Sequence, residues 1–340
     1  MNNLNVIDVS ALVYTGTASK FFADKSNFGY PVGGIHYFMR QLCCTFLDMD
    51  SAVLCFDSPS FRSGLLSEYK SGRVKSPAVY SQIEFLYESL MQCGLQCEKY
   101  DEYEADDLVS WAVAQNKDNF SEIVIIGNDH DLCHNVQPGV RFKSIARDCG
   151  FIYEGNFEDS VDSSHTKFNT ISAKKALTGC KSDKIPGMVL EDGRTGAEVY
   201  SQFCKFLDSK GCYDWPNTSS WKLLWVWASR VGGFSSADLE ILRRQMNLAF
   251  PSDCPEGVRL LPIAQPDIVP ERMARFLTMI NDYDSLKSLG LRRITLTEDD
   301  KQLLRSKARG LASGEFAADR NLEMSNSIQC QDLDFFTKEF

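Results

Sequence analysis

Five carboxylates stand within seven residues in Asp101-Glu102-Tyr103-Glu104-Ala105-Asp106-Asp107, and the apolar series Leu108, Val109, Trp111, Ala112, Val113 follows at once. The apolar positions have helical spacing, with Leu108, Trp111 and Ala112 on one face. Acids suit a helix N-terminus, whose free N–H groups favour negative charge. That accounts for one or two of them, not five. Crowded carboxylates raise one another's pKa and oppose folding unless a cation lies among them. The chemistry on offer is divalent-metal binding, provided other segments aim oxygens at the same place.

Three apolar runs end at or just before an aspartate. They are Leu4–Ile7 before Asp8, Ala52–Phe56 before Asp57, and Glu122–Gly127 ahead of Asp129. Each reads as a buried strand, and helical patterns alternate with them. After a polar loop, Pro31-Val32-Gly33-Gly34 leads into Ile35, Phe38, Met39, Leu42 and Phe46 at helical spacing. Ser76-Pro77, as cap and first turn, opens another helix with Ile83, Leu86, Tyr87 and Leu90. Leu95–Glu98 adds a short strand before the acidic helix. This alternation predicts an α/β fold with a mostly parallel sheet. Ligands of such sheets bind beyond the carboxyl ends of the strands. Parallel neighbours would bring Asp8, Asp57 and Asp129 to one rim, where Glu104, Asp106 and Asp107 also open. Asp131, two residues after Asp129, projects to the same side on extended backbone. A single aspartate after a strand is ordinary turn chemistry; three in register with an acidic helix are not. Oxygen-only donors point to Mg²⁺ or Mn²⁺ rather than zinc.

The chain has 340 residues, 44% hydrophobic and 24% charged, with a formal net charge of -10. A polyanionic partner must therefore meet local basic patches. Two are present. Arg62, Lys70, Arg73 and Lys75 follow Asp57, and Lys174, Lys175, Lys181 and Lys184 lie between Lys167 and Lys184. A carboxylate rim flanked by cations suits metal-assisted cleavage of a phosphodiester, in which cations hold the backbone and paired metals activate water and stabilise the leaving oxygen. The twelve cysteines are scattered without a Cys-x-x-Cys pair, which favours buried thiols over a zinc site at Cys93, Cys97, Cys133 and His134. No apolar run is long enough to cross a membrane, and the N-terminus reads as a strand rather than a secretory leader, so a cytoplasmic protein is expected.

Beyond Gly196 the chain reads as mostly helical. Trp221, Leu224, Trp225 and Ala228 form one core stripe, and Leu239, Leu242, Arg243 and Met246 suggest a further helix. Pro251–Pro270 is Pro-broken, and Ala312–Ser327 reads as a flexible linker.

In this order the motifs resemble the 5′-nuclease superfamily of flap endonucleases, polymerase I 5′→3′ exonuclease domains and phage RNase H-type exonucleases. Val6-Ile7-Asp8 comes first, then Cys55-Phe56-Asp57 with Arg62 and Tyr69-Lys70-x-x-Arg73. Tyr103-Glu104-Ala105-Asp106-Asp107, Gly127-Asn128-Asp129-His130-Asp131-Leu132 and Gly179-Cys180-Lys181-Ser182-Asp183-Lys184-Ile185-Pro186-Gly187 complete the set. The resemblance covers about the first two hundred residues well and the remainder loosely. It implies a PIN-like core with a helical arch in residues 1–165. A helical region with a helix–three-turn–helix DNA-binding module would occupy 166–311, and 312–340 would be a tail. It also implies that Asp8, Asp57, Glu104, Asp106, Asp129 and Asp131 hold two Mg²⁺ or Mn²⁺ ions, with Asp107 and Asp183 assisting. Lys70 and Arg73 would contact the scissile phosphate, and Tyr69 would stack on a base. Arg62, Lys75, Lys181, Lys184, Arg194 and Thr195 would bind DNA. The implied substrates are 5′ flaps, nicks and RNA primers, cut by a monomer in replication, phage-encoded and acting in the host cytoplasm.

Two features depart from the family pattern. Cys180 and Lys184 stand where Gly-Asp-x-x-Asp-Asn has its first Asp and its Asn, which weakens the second metal position. Gly193-Arg194-Thr195-Gly196-Ala197 only approximates the hairpin at which the family pattern places a K⁺ ion. The tail Gln331-Asp332-Leu333-Asp334-Phe335-Phe336 resembles sliding-clamp peptides, or else packs on its own domain. The reading set against an enzyme is a non-catalytic nucleic-acid-binding or scaffolding relative. A PIN-type single-strand ribonuclease is disfavoured by the arch motif and the helical half.

Overall fold

Apolar residues alternate between two faces along the central strands, and that alternation builds the layers. The computed structural model describes residues 3–45, 51–72, 76–145, 150–153, 170–210, 220–260 and 268–314. Strands β1 (Asn3–Asp8), β4 (Ser51–Cys55), β5 (Cys97–Glu98), β6 (Glu122–Gly127), β7 (Val140–Ser144) and β8 (Phe151–Ile152) form one sheet in the order β5-β4-β1-β6-β7-β8. All pairings are parallel except β7–β8. A hairpin of β2 (Ser26–Asn27) and β3 (Tyr30–Pro31) stands apart.

Ile7, Leu54 and Ile126 face a core shared with α1 (Val9–Ala18), α2 (Gly33–Thr45) and α4 (Pro77–Gln92). Val6, Val53 and Ile125 face the opposite core, closed by α5 (Ala105–Asn116) through Leu108, Trp111 and Ala112. Cys93 lies in the first core and Cys133 in the second, so the sheet separates the cysteines considered for zinc.

The polar loop expected after Asp8 is instead helix α1. Asp8 caps it by accepting a hydrogen bond from the Ala11 N–H at 3.0 Å, and Val9, Leu12, Val13 and Gly16 are buried on one face. Its two threonines and one glycine, Thr15, Thr17 and Gly16, mask the period. Ser76 precedes α4 without a side-chain cap bond, while Pro77 takes the first turn. Phe46 lies outside the described residues. Where the resemblance places an arch, the described residues form α3 (Arg62–Leu65) and turns through Gly72. Arg73 and Lys75 lie outside the described residues.

The C-terminal half is helical. It comprises α6 (Ile171–Thr178), α7 (Gly196–Lys210), α8 (Ser220–Arg230), α9 (Ser236–Ala249), α10 (Pro270–Met279), α11 (Tyr283–Ser288) and α12 (Glu298–Ser313). Helices α6 to α9 enclose their own core with Leu177, Phe203, Leu224, Trp227 and Leu242. Trp227 is thus the deeply buried tryptophan of α8, with Trp221 and Trp225 only partly buried. Helices α10 to α12 send Phe276, Leu277, Leu286 and Leu304 back into the first core beside the sheet. Ala312 closes α12 rather than beginning a linker, and residues 315–340, with the clamp-like segment, lie outside the described residues.

Candidate active site at the strand ends

Adjacent parallel strands β4, β1 and β6 deliver Asp57, Asp8 and Asp129 to one edge. The approach is close. A Cβ on Gly127 would fall 2.9 Å from the end of the Leu132 side chain and 3.4 Å from Asp8 Cβ, so the end of β6 lies in contact with Asp8. Local donors fix each acid. Asp57 Oδ1 accepts from the Ala105 N–H at 2.8 Å, and Asp129 Oδ1 accepts from the Asp131 N–H at 2.9 Å. The Asp57 N–H donates to Ser10 Oγ at 3.1 Å. The first turn of α5 adds Asp106.

These four acids are electrostatically exposed to one another. Burial, then Asp57 and Asp129, raise Asp8 from 3.8 to about 8. Asp57 is raised by loss of hydration and by Glu104, and Asp106 by loss of hydration, then Asp129 and Asp8. Among the described residues none of the four forms an ion pair, and no three His, Cys, Asp or Glu side chains close around one point as a preset metal cage. The donors are carboxylate oxygens, which suit a hard divalent cation, and a cation among them would relieve the mutual repulsion of like charges. Asp8, Asp57, Asp106 and Asp129 therefore fit a metal.

Glu104 and Asp107 differ. Arg62, only 4% exposed, grips Asp107 with two bonds of 2.8 Å and reaches Glu104 at 3.1 Å and the Phe250 carbonyl at 2.9 Å. Asp107 also accepts from the Ser252 N–H and hydroxyl at 2.8 and 3.1 Å and from the Glu104 N–H at 3.1 Å. Burial alone would raise Asp107; Arg62 overrides it and holds the carboxyl below its usual range. Glu104 is lowered in the same way, against burial, by Lys70 and Arg62. Glu104 accepts from Lys70 Nζ at 2.5 Å and from the Tyr69 hydroxyl at 2.9 Å.

Four of the residues expected at the site are engaged inside the protein, and Glu104, expected on a metal, is paired with Lys70 and Arg62. Arg62, expected on DNA, is a buried clamp whose donors are spent inside the protein. Asp107, expected to assist a metal, is that clamp's counter-ion. Tyr69, expected to stack on a base, is 7% exposed and turned onto Glu104.

The turns after α6 give the site its far wall. Gly179, at φ +80, takes the sharp turn; a Cβ there would fall 2.5 Å from the Gly187 N. Bridges Cys180–Ile185 and Val189–Thr195 lead into α7. Thr195 and Glu198 bond reciprocally at that helix start, the Thr195 N–H donating to Glu198 Oε2 at 2.8 Å and the Glu198 N–H to Thr195 Oγ1 at 3.4 Å. Arg194 bonds Asp192, Gln202 and the carbonyls of Gly232 and Gly233, so both residues expected on DNA also brace this hairpin. Lys181 and Lys184 are exposed. The Lys70 N–H donates to the Asp183 carbonyl at 2.9 Å, tying the two basic segments together, and Lys70 holds φ 52 to do so. That is a costly backbone conformation for a non-glycine residue. Lys175 was part of a basic patch in the sequence. In the structure it bonds Asp131 at 2.7 Å and Asp183 at 2.5 Å. Although burial works against the charge, those acids hold its ammonium above the ordinary lysine range. The contacts of Arg62 with Phe250 and of Asp107 with Ser252, both from the far helical half, had no local sequence signal.

The 5′-3′ exonuclease N-terminal resolvase-like domain matches residues 3–161. A 5′-3′ exonuclease of Mycoplasma pneumoniae is 30% identical over 220 residues, covering 60% of this chain and 73% of the relative. DNA polymerase I of Lactococcus lactis is 24% identical over 156 residues, 44% of this chain but only 18% of the polymerase. Among solved structures, T5 5′-exonuclease with divalent metal ions (zinc) bound superposes with a TM-score of 0.50 at 14% identity, covering 92% of this chain and all of that one. That likeness is one of fold, a mostly parallel α/β sheet with a helical C-terminal half. On the Mycoplasma relative and the matched domain, this chain belongs to the 5′–3′ exonuclease family.

Proposed function

We propose that this protein is a metal-dependent 5′→3′ exonuclease and flap endonuclease that hydrolyses phosphodiesters near the 5′ ends of flaps, nicks or RNA primers during DNA replication. Four acids gathered at the strand ends and the start of α5, with Lys70 beside them, carry this reading. Asp8, Asp57, Asp106 and Asp129 would hold the cation, Mg²⁺ or Mn²⁺. When bound, it supplies charge neutralisation at the phosphate and a more acidic water. Glu104 holds the Lys70 ammonium at the rim, where that charge can receive a phosphate oxygen. Arg62 and Asp107 keep the start of α5, and hence Asp106, in place. Lys181, Lys184 and the hairpin Gly193–Ala197 would track the duplex backbone, the hairpin being the candidate K⁺ site. Arg73 and Lys75 keep their proposed DNA roles. The division at 165/166 would separate chemistry from grip, with α10 to α12 returning to the catalytic core.

A 5′-labelled flap and a nicked duplex, incubated with Mg²⁺ or with chelator, test the activity. Cleavage in Mg²⁺ alone, lost in Asp8→Asn, is expected; equal products under both conditions would overturn it. Binding with no product in Mg²⁺ or Mn²⁺ would favour a scaffolding relative, which Cys180 in the last motif favours. A peptide of residues 327–340 that fails to bind a sliding clamp would remove the clamp proposal.

A further inference from the structure

Asp131 and Asp183 are the acids that would hold a second divalent ion, and the structure puts a side chain of the protein between them. Lys175 Nζ lies 2.7 Å from Asp131 Oδ2 and 2.5 Å from Asp183 Oδ2. Its side chain is 15% exposed and that of Asp183 only 2%. The lysine is placed from a firm base, because Ser172, Ala173, Ala176 and Leu177 of α6 are all buried. Cys180 Sγ stands 3.7 Å from the same Asp183 oxygen, offering a weak S–H donor where a ligating carboxylate would add charge. A hard divalent ion needs several oxygens with free lone pairs. At this corner the facing oxygens already accept from an ammonium, and among the described residues no third carboxylate completes a ligand set with them. The residues fit a monovalent cation that the chain carries itself, not a second metal.

We propose that the Lys175 ammonium replaces the second divalent ion, so that this protein binds one divalent cation, at Asp8, Asp57, Asp106 and Asp129. The inference rests on the metal reading above. A lysine is a fixed point charge. It can neutralise Asp131 and Asp183 and face a phosphate, but it cannot make bound water more acidic as a divalent ion does. The exchange of Asp for Cys at 180 is then matched to the lysine. With one cation in place of a divalent ion, one fewer carboxylate is needed for balance.

The test is a Mn²⁺ titration of the full chain, read by calorimetry and by the paramagnetic signal of free Mn²⁺. The wild type should take up one ion per chain, and so should Cys180→Asp, because the ammonium remains. Lys175→Met combined with Cys180→Asp should take up two, the second at least tenfold tighter than any second ion in the wild type. Asp183→Asn should leave the wild-type count and affinity unchanged. Two ions in the wild type or in Cys180→Asp overturn the proposal, as does a count of one in the folded double variant. Should the double variant fail to fold, a fall in Mn²⁺ affinity in Asp183→Asn would overturn it by itself. No ion at all in the wild type would end the metal reading and this inference with it, an outcome distinct from two ions.

Discussion

Asp107 and Asp8 share a rim, are 0% and 4% exposed, and titrate in opposite directions. Asp107 is held below the ordinary carboxylate range although burial pushes the other way, because Arg62 meets both its oxygens and Ser252 adds two donors. Asp8 has one backbone donor and two acidic neighbours, and it rises to about 8. Burial is common to both, so the nearby cation decides. The pattern extends around the rim, with Lys70 serving Glu104 and Lys175 serving Asp131 and Asp183. Where the chain supplies a cation, the acids are structural parts. Where no cation pairs with them directly and Lys70 acts only from a distance, the acids store repulsion that a bound cation can release.

Breaking the satisfied side should cost the most stability. Arg62→Ala leaves Asp107 and Glu104 buried and uncompensated, and a loss of about 3–5 kcal/mol is expected in urea unfolding. Unchanged stability with weakened DNA binding would return Arg62 to the phosphate backbone. On the unsatisfied side, Asp8→Asn should cut flap cleavage by about a hundredfold or more in single-turnover assays, roughly 2.7 kcal/mol of barrier. It should leave the metal-free fold intact or firmer. Activity within a few-fold of wild type would mean that the unpaired acids are not the working ones.

A smaller effect concerns pH. The folded state raises Asp8 from 3.8 to about 8, so between those values it keeps a proton that the unfolded chain has released. Stability of the metal-free protein should therefore fall as pH rises from about 4 toward 8. A decline of a few degrees in Tm is expected, since about 1 kcal/mol moves a domain of 150–250 residues by about 2–4 °C. Asp8→Asn should flatten the profile, as should saturating Mg²⁺. A wild-type Tm that climbs over this interval would contradict the contrast between Asp8 and Asp107. Smallest of all, Lys181→Ala on the exposed hairpin should leave stability unchanged and reduce the salt slope of DNA binding by about 1. An unaltered slope would remove Lys181 from the DNA path.

Much of the framework was legible in the residues because its signals are local. An apolar run ending in aspartate, or acids leading into a helical stripe, is read within a few positions, and β1, β4, β6 and α5 follow from that. Helix α1 escapes a reading from sequence because Thr15, Gly16 and Thr17 dilute the period that its burial reveals. The ordering of strands also came from general rules of α/β sheets, so the meeting of Asp8, Asp57 and Asp129 could be foreseen.

The division of labour among the acids was decided only in three dimensions. Arg62 and Asp107 are 45 residues apart, Lys175 and Asp131 44, and Ser252 and Asp107 145. Charge in a sequence announces that a side chain is cationic, and nothing in its neighbours says which carboxylate it will meet. A guanidinium that faces solvent and one locked between two buried acids are the same letter. Packing chose between them, because an acid removed from water must find a partner or stay protonated, and the fold provided partners to some and not to others.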